Sequence, residues 1–281
     1  MIRTHHLTAL ALAVSTCTAL PASAAESYDS CEGRYIESLP ASIGTPGVWC
    51  LRHDVTTAVG SGAAIQVTSN NVTLDCNGYR IGGLAAGPGS LASGVYASGR
   101  QNFTIRNCGI RGFYYGILVE GGAGHLVEDN RLDNNLLNAI RVSADNSRVR
   151  RNAVFDTGGA TGRNDASAIF GSADISDNTI GGVYAVVAPG QSNGITATAF
   201  GQQVSRNTIR GLVANSGGGA AYGIIANANG ITVDGNRIAA ASVVNGIGIV
   251  GTGNVFCINN TVANFSSAVV SCRASTSNDS F

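Results

Sequence analysis

Short alternating apolar runs recur along the chain, separated by polar, glycine-rich turns, and one six-residue form returns again and again. Val127-Glu-Asp-Asn-Arg-Leu132 is its clearest copy. Val149 to Val154, Ile175 to Ile180, Val204 to Ile209 and Val233 to Ile238 match the same template, apolar-x-x-Asn-x-apolar. Looser copies start at Leu74, Ile105 and Cys257. The template aligns Asn77, Asn130, Asn152, Asn178, Asn207, Asn236 and Asn260, with Cys108 where an Asn is expected.

A second column keeps step with the first, a small residue followed by an aliphatic one. It reads Gly94-Val95, Gly116-Ile117, Ala139-Ile140, Ala168-Ile169, Gly194-Ile195, Gly223-Ile224, Gly246-Ile247 and Ala268-Val269. The Asn column advances by 31, 22, 22, 26, 29, 29 and 24 residues. Two columns in fixed order are an internal repeat. The runs are β-branched and alternating, so they predict strands, and no stretch after residue 25 keeps apolar residues at helical spacing. One such coil cannot bury its inward face alone, so coils must stack. Stacking brings equivalent residues to about 4.8 Å, where Asn side chains can bond amide to carbonyl along the column. Asn also tolerates the left-handed conformation of a sharp turn.

The Asn column, the Gly-Ile column and Asn71-Val-Thr-Leu-Asp-Cys-Asn-Gly78 together resemble the right-handed parallel β-helix of the pectate-lyase-like superfamily. The resemblance implies an all-β solenoid of about eight coils over residues 61–272, with substrates lying across one strand face. It is nearly silent about the reaction, because the fold hosts many unrelated functions.

The ends differ from the repeats. Residues 1–25 read as a secretory signal: Arg3, His5 and His6 precede an apolar run from Leu7 to Leu20 and a small-residue site at Ala22-Ser23-Ala24. Residues 26–60 are expected to cap the solenoid, with short strands at Tyr35 to Pro40 and Gly47 to Leu51. Residues 273–281 are polar and expected to fray. A secreted product, extracellular or periplasmic, follows from the leader.

Charge narrows the partners. All 17 basic residues are Arg, which removes lysine chemistry. Without the leader the balance is 16 basic against 17 acidic, which favours neither nucleic acid nor an anionic membrane surface. Six cysteines follow the leader, and an even number in an exported chain suggests disulfides between near neighbours: Cys31–Cys50, Cys76–Cys108 and Cys257–Cys272. There is no CxxC and only His53 and His125 remain, so no metal and no cofactor is expected. The chain is expected to act as a monomer.

Loop lengths suggest where a site would lie. The gaps from the Asn column to the next small residue are 17, 8, 9, 16, 16, 16, 10 and 8 residues. Long loops at 78–93 and 153–167 would then wall a notch three coil spacings wide, about 14 Å. By alternation its floor presents Leu118, Glu120, Arg141 and Ser143, flanked by Tyr96, Tyr114 and Tyr115, with Arg163 and Asp165 on the far wall. A polysaccharide lyase needs a base and a cation for the developing enolate, which Glu120 or Tyr115 and Arg141 or Arg163 could supply. A glycosidase needs two carboxylates, and Glu120 with Asp165 or Asp133 is the best pair. A plain Glu120–Arg141 surface ion pair is the structural alternative. The expected partner is a polysaccharide, acidic if Arg141 reads it. Function divides between a lyase, hydrolase or epimerase and a non-catalytic carbohydrate-binding or structural surface protein. Columns of alternating charge, Asp129, Arg151, Asp177, Arg206 and Asp75, Arg106, Glu128, Arg150, are read as register-fixing ladders away from the notch.

Overall fold

The computed structural model describes residue 31 and residues 33–276 and 278–280. The expected leader and the first residues of the expected cap lie outside the described residues.

Each apolar run forms a strand, and three parallel strands make one coil. A representative coil consists of Tyr115–Ala123, Leu126–Glu128 and Arg131–Asp133. Its strands pair in parallel with the coils before and after, so that Val95, Ile117 and Ile140 stand in one inward column. That column runs in register from Ile65 to Ile249, with Val127 and Leu132 in two further inward columns. Ile117, Val127 and Leu132 are fully buried, and each such side chain contributes about 1.5–3 kcal/mol of burial. About eight full coils occupy residues 63–264, with a shorter turn stacked on each end.

The small residue of the second column lets strands approach. A side chain on Gly194 would meet the Gly223 carbonyl at 2.5 Å. Near the C-terminus the register is two residues from the sequence reading: Ile224 pairs with Ile249, so Gly248 rather than Gly246 holds the column position. Both residues lie in Arg237–Gly251, an uninterrupted run with no turn signal to fix the count.

The Asn ladder forms, with different ends. The Nδ2 of Asn130 donates to Asn152 Oδ1 at 3.0 Å, and the pattern continues through Asn178, Asn207, Asn236 and Asn260. Each oxygen also accepts the backbone N–H of the preceding Asn. Asn278 adds a last rung. Asn77 is outside it, because its turn holds two more residues than the next: four separate Asp75 from Arg80, while two separate Arg106 from Gly109. Its Nδ2 donates instead to the Leu51 carbonyl. Cys108 starts the ladder through its backbone N–H to Asn130 Oδ1 and joins its sulfur to Cys76. The left-handed residue of each turn is the one before the ladder: Asp129, Arg151, Asp177 and Arg206 have φ of 55°, 53°, 58° and 54°.

Those left-handed residues also carry the charge ladder. Arg151 bonds Asp129 at 2.8 Å and Glu128 at 2.6 Å, Arg206 bonds Asp177 at 2.8 Å, and Arg106 bonds Asp75 at 2.8 Å. The Arg151 guanidinium holds the Asp129 carboxyl below its ordinary pKa, and Arg206 does the same for Asp177. All three expected disulfides are present.

The expected cap is a coil in its own right. Ala41–Ile43 pairs with Ala63–Val67 and Gly47–Cys50 with Val72–Asp75, while Tyr35 makes one bridge to Cys50. The strand therefore starts after the cis Leu39–Pro40 bond rather than at Tyr35. At the other end the expected frayed tail is paired: Ala274–Thr276 joins Phe256–Ile258, and Asp279–Ser280 joins Thr261–Val270. Backbone hydrogen bonds to the exposed coil edge hold these residues despite their polarity.

Candidate functional site

On the face that carries the small-aliphatic column, two outward columns border the buried aliphatics. One, preceding the small residue, contains Tyr115, Asn138, Ser167 and Asn193. The other, following the aliphatic, contains Leu118, Arg141, Phe170, Thr196 and Ile225. Between them and the loop bearing Arg163 lies a cleft of about 320 Å³ that reaches from Tyr115 to Asn227.

Arg141 dominates one end. Its guanidinium carbon lies 4.8 Å from the Phe170 ring centroid and 5.6 Å from that of Tyr115, within cation–π range of both. The two rings fix the side chain, and its Nε is buried with no hydrogen-bond partner among the described residues. Arg163 lines the cleft from the loop, its Nε donating to the Tyr114 hydroxyl at 3.2 Å. That hydrogen bond raises the Arg163 pKa above its ordinary value. Tyr114 is buried against Tyr115, Leu137 and Ala160 and so acts as a support for Arg163 rather than a wall of the cleft. Asp165 is the one carboxylate in the lining.

The other end is uncharged. Asn193, only 6% exposed, donates from Nδ2 to Ser167 Oγ at 3.3 Å, and Ser167 Oγ lies 3.4 Å from Thr196 Oγ1. Asn193 Oδ1 is buried with no partner among the described residues.

The cleft lies farther along the axis than the expected notch. Of the residues expected there, Tyr115, Arg141, Arg163 and Asp165 share the cleft. Glu120, Ser143 and Tyr96 stand outside its lining. Glu120 pairs in register with Ser143, not Arg141, and accepts the Tyr96 hydroxyl at 3.3 Å. No ion pair joins Glu120 and Arg141 among the described residues: the guanidinium lies instead against the Tyr115 and Phe170 rings. Leu118, expected as open floor, is 8% exposed. Sequence reasoning missed Asn138, Asn193 and Thr196. Their signal was present, since the residue before each small-aliphatic pair forms a column of its own: Tyr115, Asn138, Ser167, Asn193.

The family model for the right-handed β-helix region matches residues 52–207 and 93–264. No curated protein matches the chain in sequence. Among solved structures it is similar to DFA-IIIase from Arthrobacter chlorophenolicus A6 without its lid, at 12% identity and a TM-score of 0.48, over 85% of this chain and 66% of that one. It is similar to the A-module of the Azotobacter vinelandii mannuronan C-5 epimerase AlgE4, at 10% identity and a TM-score of 0.48, over 88% of each chain. It is likewise similar to PfbA, a surface adhesin of Streptococcus pneumoniae, at 14% identity and a TM-score of 0.48, over 80% of this chain and 62% of that one.

Proposed function

The chain belongs to the right-handed β-helix family, and on that premise we propose that it contacts an acidic polysaccharide through the cleft on its strand face. The observation that carries this reading is the Arg141 guanidinium, held within cation–π range of both Tyr115 and Phe170, with no hydrogen-bond partner to its buried Nε among the described residues. A guanidinium reads a carboxylate by paired hydrogen bonds. Arg141 and Arg163 face a single carboxylate, Asp165, so the charged end of the cleft is net positive. From Tyr115 to Asn227 the cleft crosses four coil spacings, about 19 Å, a shape for an extended chain rather than a small solute.

We further propose that the protein works outside the cytosol as a monomer, after removal of residues 1–25. The three disulfides support the oxidising compartment.

Binding without catalysis is the leading reading, because a glycosidase needs two carboxylates and the lining offers one. A lyase reading has one observation in its favour: Tyr115 lines the cleft beside Arg141. Tyr115, as the phenolate, would take the proton α to a uronate carboxylate while Arg141 stabilises the enolate, and would return that proton to the glycosidic oxygen leaving the β-carbon as the double bond forms. Incubation with uronate polymers distinguishes the two, since only elimination produces ultraviolet-absorbing unsaturated ends. In binding assays with polyuronate oligosaccharides, Arg141→Met should weaken affinity by about 10- to 100-fold. Glu120→Gln should change it by less than about threefold, because Glu120 is engaged with Tyr96 outside the cleft. Equal effects of the two substitutions would refute the location of the site.

A further inference from the structure

We infer that the cleft reads an acidic and a neutral sugar unit at separate positions, and that its polymer mixes uronate with neutral sugars rather than repeating uronate alone. This rests on the saccharide reading above and adds to it the composition of the polymer.

The observation is a change of polarity along one cleft. Arg141, Arg163 and Asp165 hold all its charge, at the coils of Asn138–Asp145 and Asp165–Gly171. Beyond them, on Gln191–Ala197, on Ala220–Ala226 and just after it, the cleft is lined by Gln191, Asn193, Thr196, Ile225 and Asn227, with no cation. Arg141 and Thr196 occupy the same column two coils apart, a separation of about 10 Å. A carboxylate beyond Phe170 would therefore leave the guanidinium behind and face an amide and two hydroxyls without a countercharge, which is costly in a partly dry cleft.

Asn193 states what fits there instead. As oriented here, its buried Oδ1 lacks a donor among the described residues. A hydroxyl can supply that donor; a carboxylate only accepts. Ser167 and Thr196 lie within 3.4 Å of each other and can relay the same choice, since a hydroxyl pair adapts to a donating or accepting partner. Ile225 adds an apolar surface for the less polar face of a sugar ring. Asn193, with Thr196 and Asn227, is thus assigned as the neutral-sugar position, distinct from the acid position at Arg141.

The test compares three probes of equal length on the full-length protein by calorimetry: oligosaccharides of gellan, whose backbone separates its glucuronates by neutral sugars, oligogalacturonates, and neutral cello-oligosaccharides. Gellan oligosaccharides should bind about tenfold or more tighter than either of the others. Asn193→Leu should weaken gellan binding between about twofold and tenfold and leave oligogalacturonate binding unchanged. Thr196→Val, which keeps the shape, and Asn227→Ala, at an exposed position, repeat the comparison where Asn193→Leu disturbs folding. Arg141→Met should weaken both acidic probes. Oligogalacturonate binding as tightly as gellan, dependent on Arg141 but indifferent to Asn193, Thr196 and Asn227, would overturn this inference while leaving the saccharide reading intact. Absence of binding to all three, or binding that Arg141→Met does not weaken, would overturn both.

Discussion

Removing one rung of the Asn ladder offers the most direct test of what holds the solenoid together. Asn178 is 1% exposed. Its Oδ1 accepts the Asn152 backbone N–H at 2.9 Å and the Asn152 Nδ2 at 3.0 Å, and its own Nδ2 donates to the Val149 carbonyl at 3.0 Å. Asn178→Ala deletes these partners. The Asn152 Nδ2 keeps the carbonyls of Val127 and Arg150, and Asn207 Oδ1 keeps the backbone N–H of residue 178. The Asn152 backbone N–H and the Val149 carbonyl, however, each lose the side-chain partner that served them inside the coil. At about 1–3 kcal/mol for each buried group left short, the loss is about 2–6 kcal/mol.

The neighbouring residue supplies the control. Asp177 pairs with Arg206 in the adjacent ladder, but the side chains are 38% and 63% exposed, so solvent screens the pair. Asp177→Asn removes the charge while keeping a residue that tolerates the φ of 58°, and should cost under about 1 kcal/mol. Equilibrium urea unfolding followed by circular dichroism measures both. With a slope of about 3 kcal/mol per molar, a 3 kcal/mol loss moves the midpoint by about 1 M, whereas Asp177→Asn moves it by about 0.3 M or less. Midpoints that shift equally, or a larger shift for Asp177→Asn, would refute the view that the buried neutral ladder outweighs the exposed charged one.

Two further outcomes follow from buried groups. His125 is buried and its Nδ1 accepts the Phe103 N–H at 3.2 Å, which requires the neutral ring, and burial lowers its pKa. The unfolded histidine titrates near 6.5, so its contribution is fully present above about pH 6.5 and is lost as pH falls toward the folded pKa; urea midpoints at pH 7.5 and 5.5 should differ more for the native protein than for His125→Gln, and equal differences would refute this. Thiol titration of denatured, unreduced protein should find almost no free thiol among the six cysteines of the described chain; opening the Cys257–Cys272 loop of 15 residues by a paired Cys→Ser change should cost about 3 kcal/mol, and an unchanged midpoint would count against it.

What the sequence determined by itself is whatever the repeat encodes. An apolar residue at every second position, an Asn in each turn and a small residue opening each long strand have one common solution, stacked parallel coils, because only stacking buries the aliphatics and pairs the amides at once. Charge alternation from Glu128 and Asp129 to Arg150 and Arg151 could be read as cross-coil pairing for the same reason: neighbours in the stack are a fixed number of coils apart, whatever their loops do. Loop geometry has no such rule. The two extra residues after Asp75 removed Asn77 from the ladder, and Asn278 joined it across a turn that the template did not reach. The site was decided still later. Alternation placed Arg141 and Glu120 on one face, but which way a long side chain leans depends on what stands beside it. Tyr115 and Phe170 come from different coils, and only their convergence in the folded stack places the Arg141 guanidinium beside both rings.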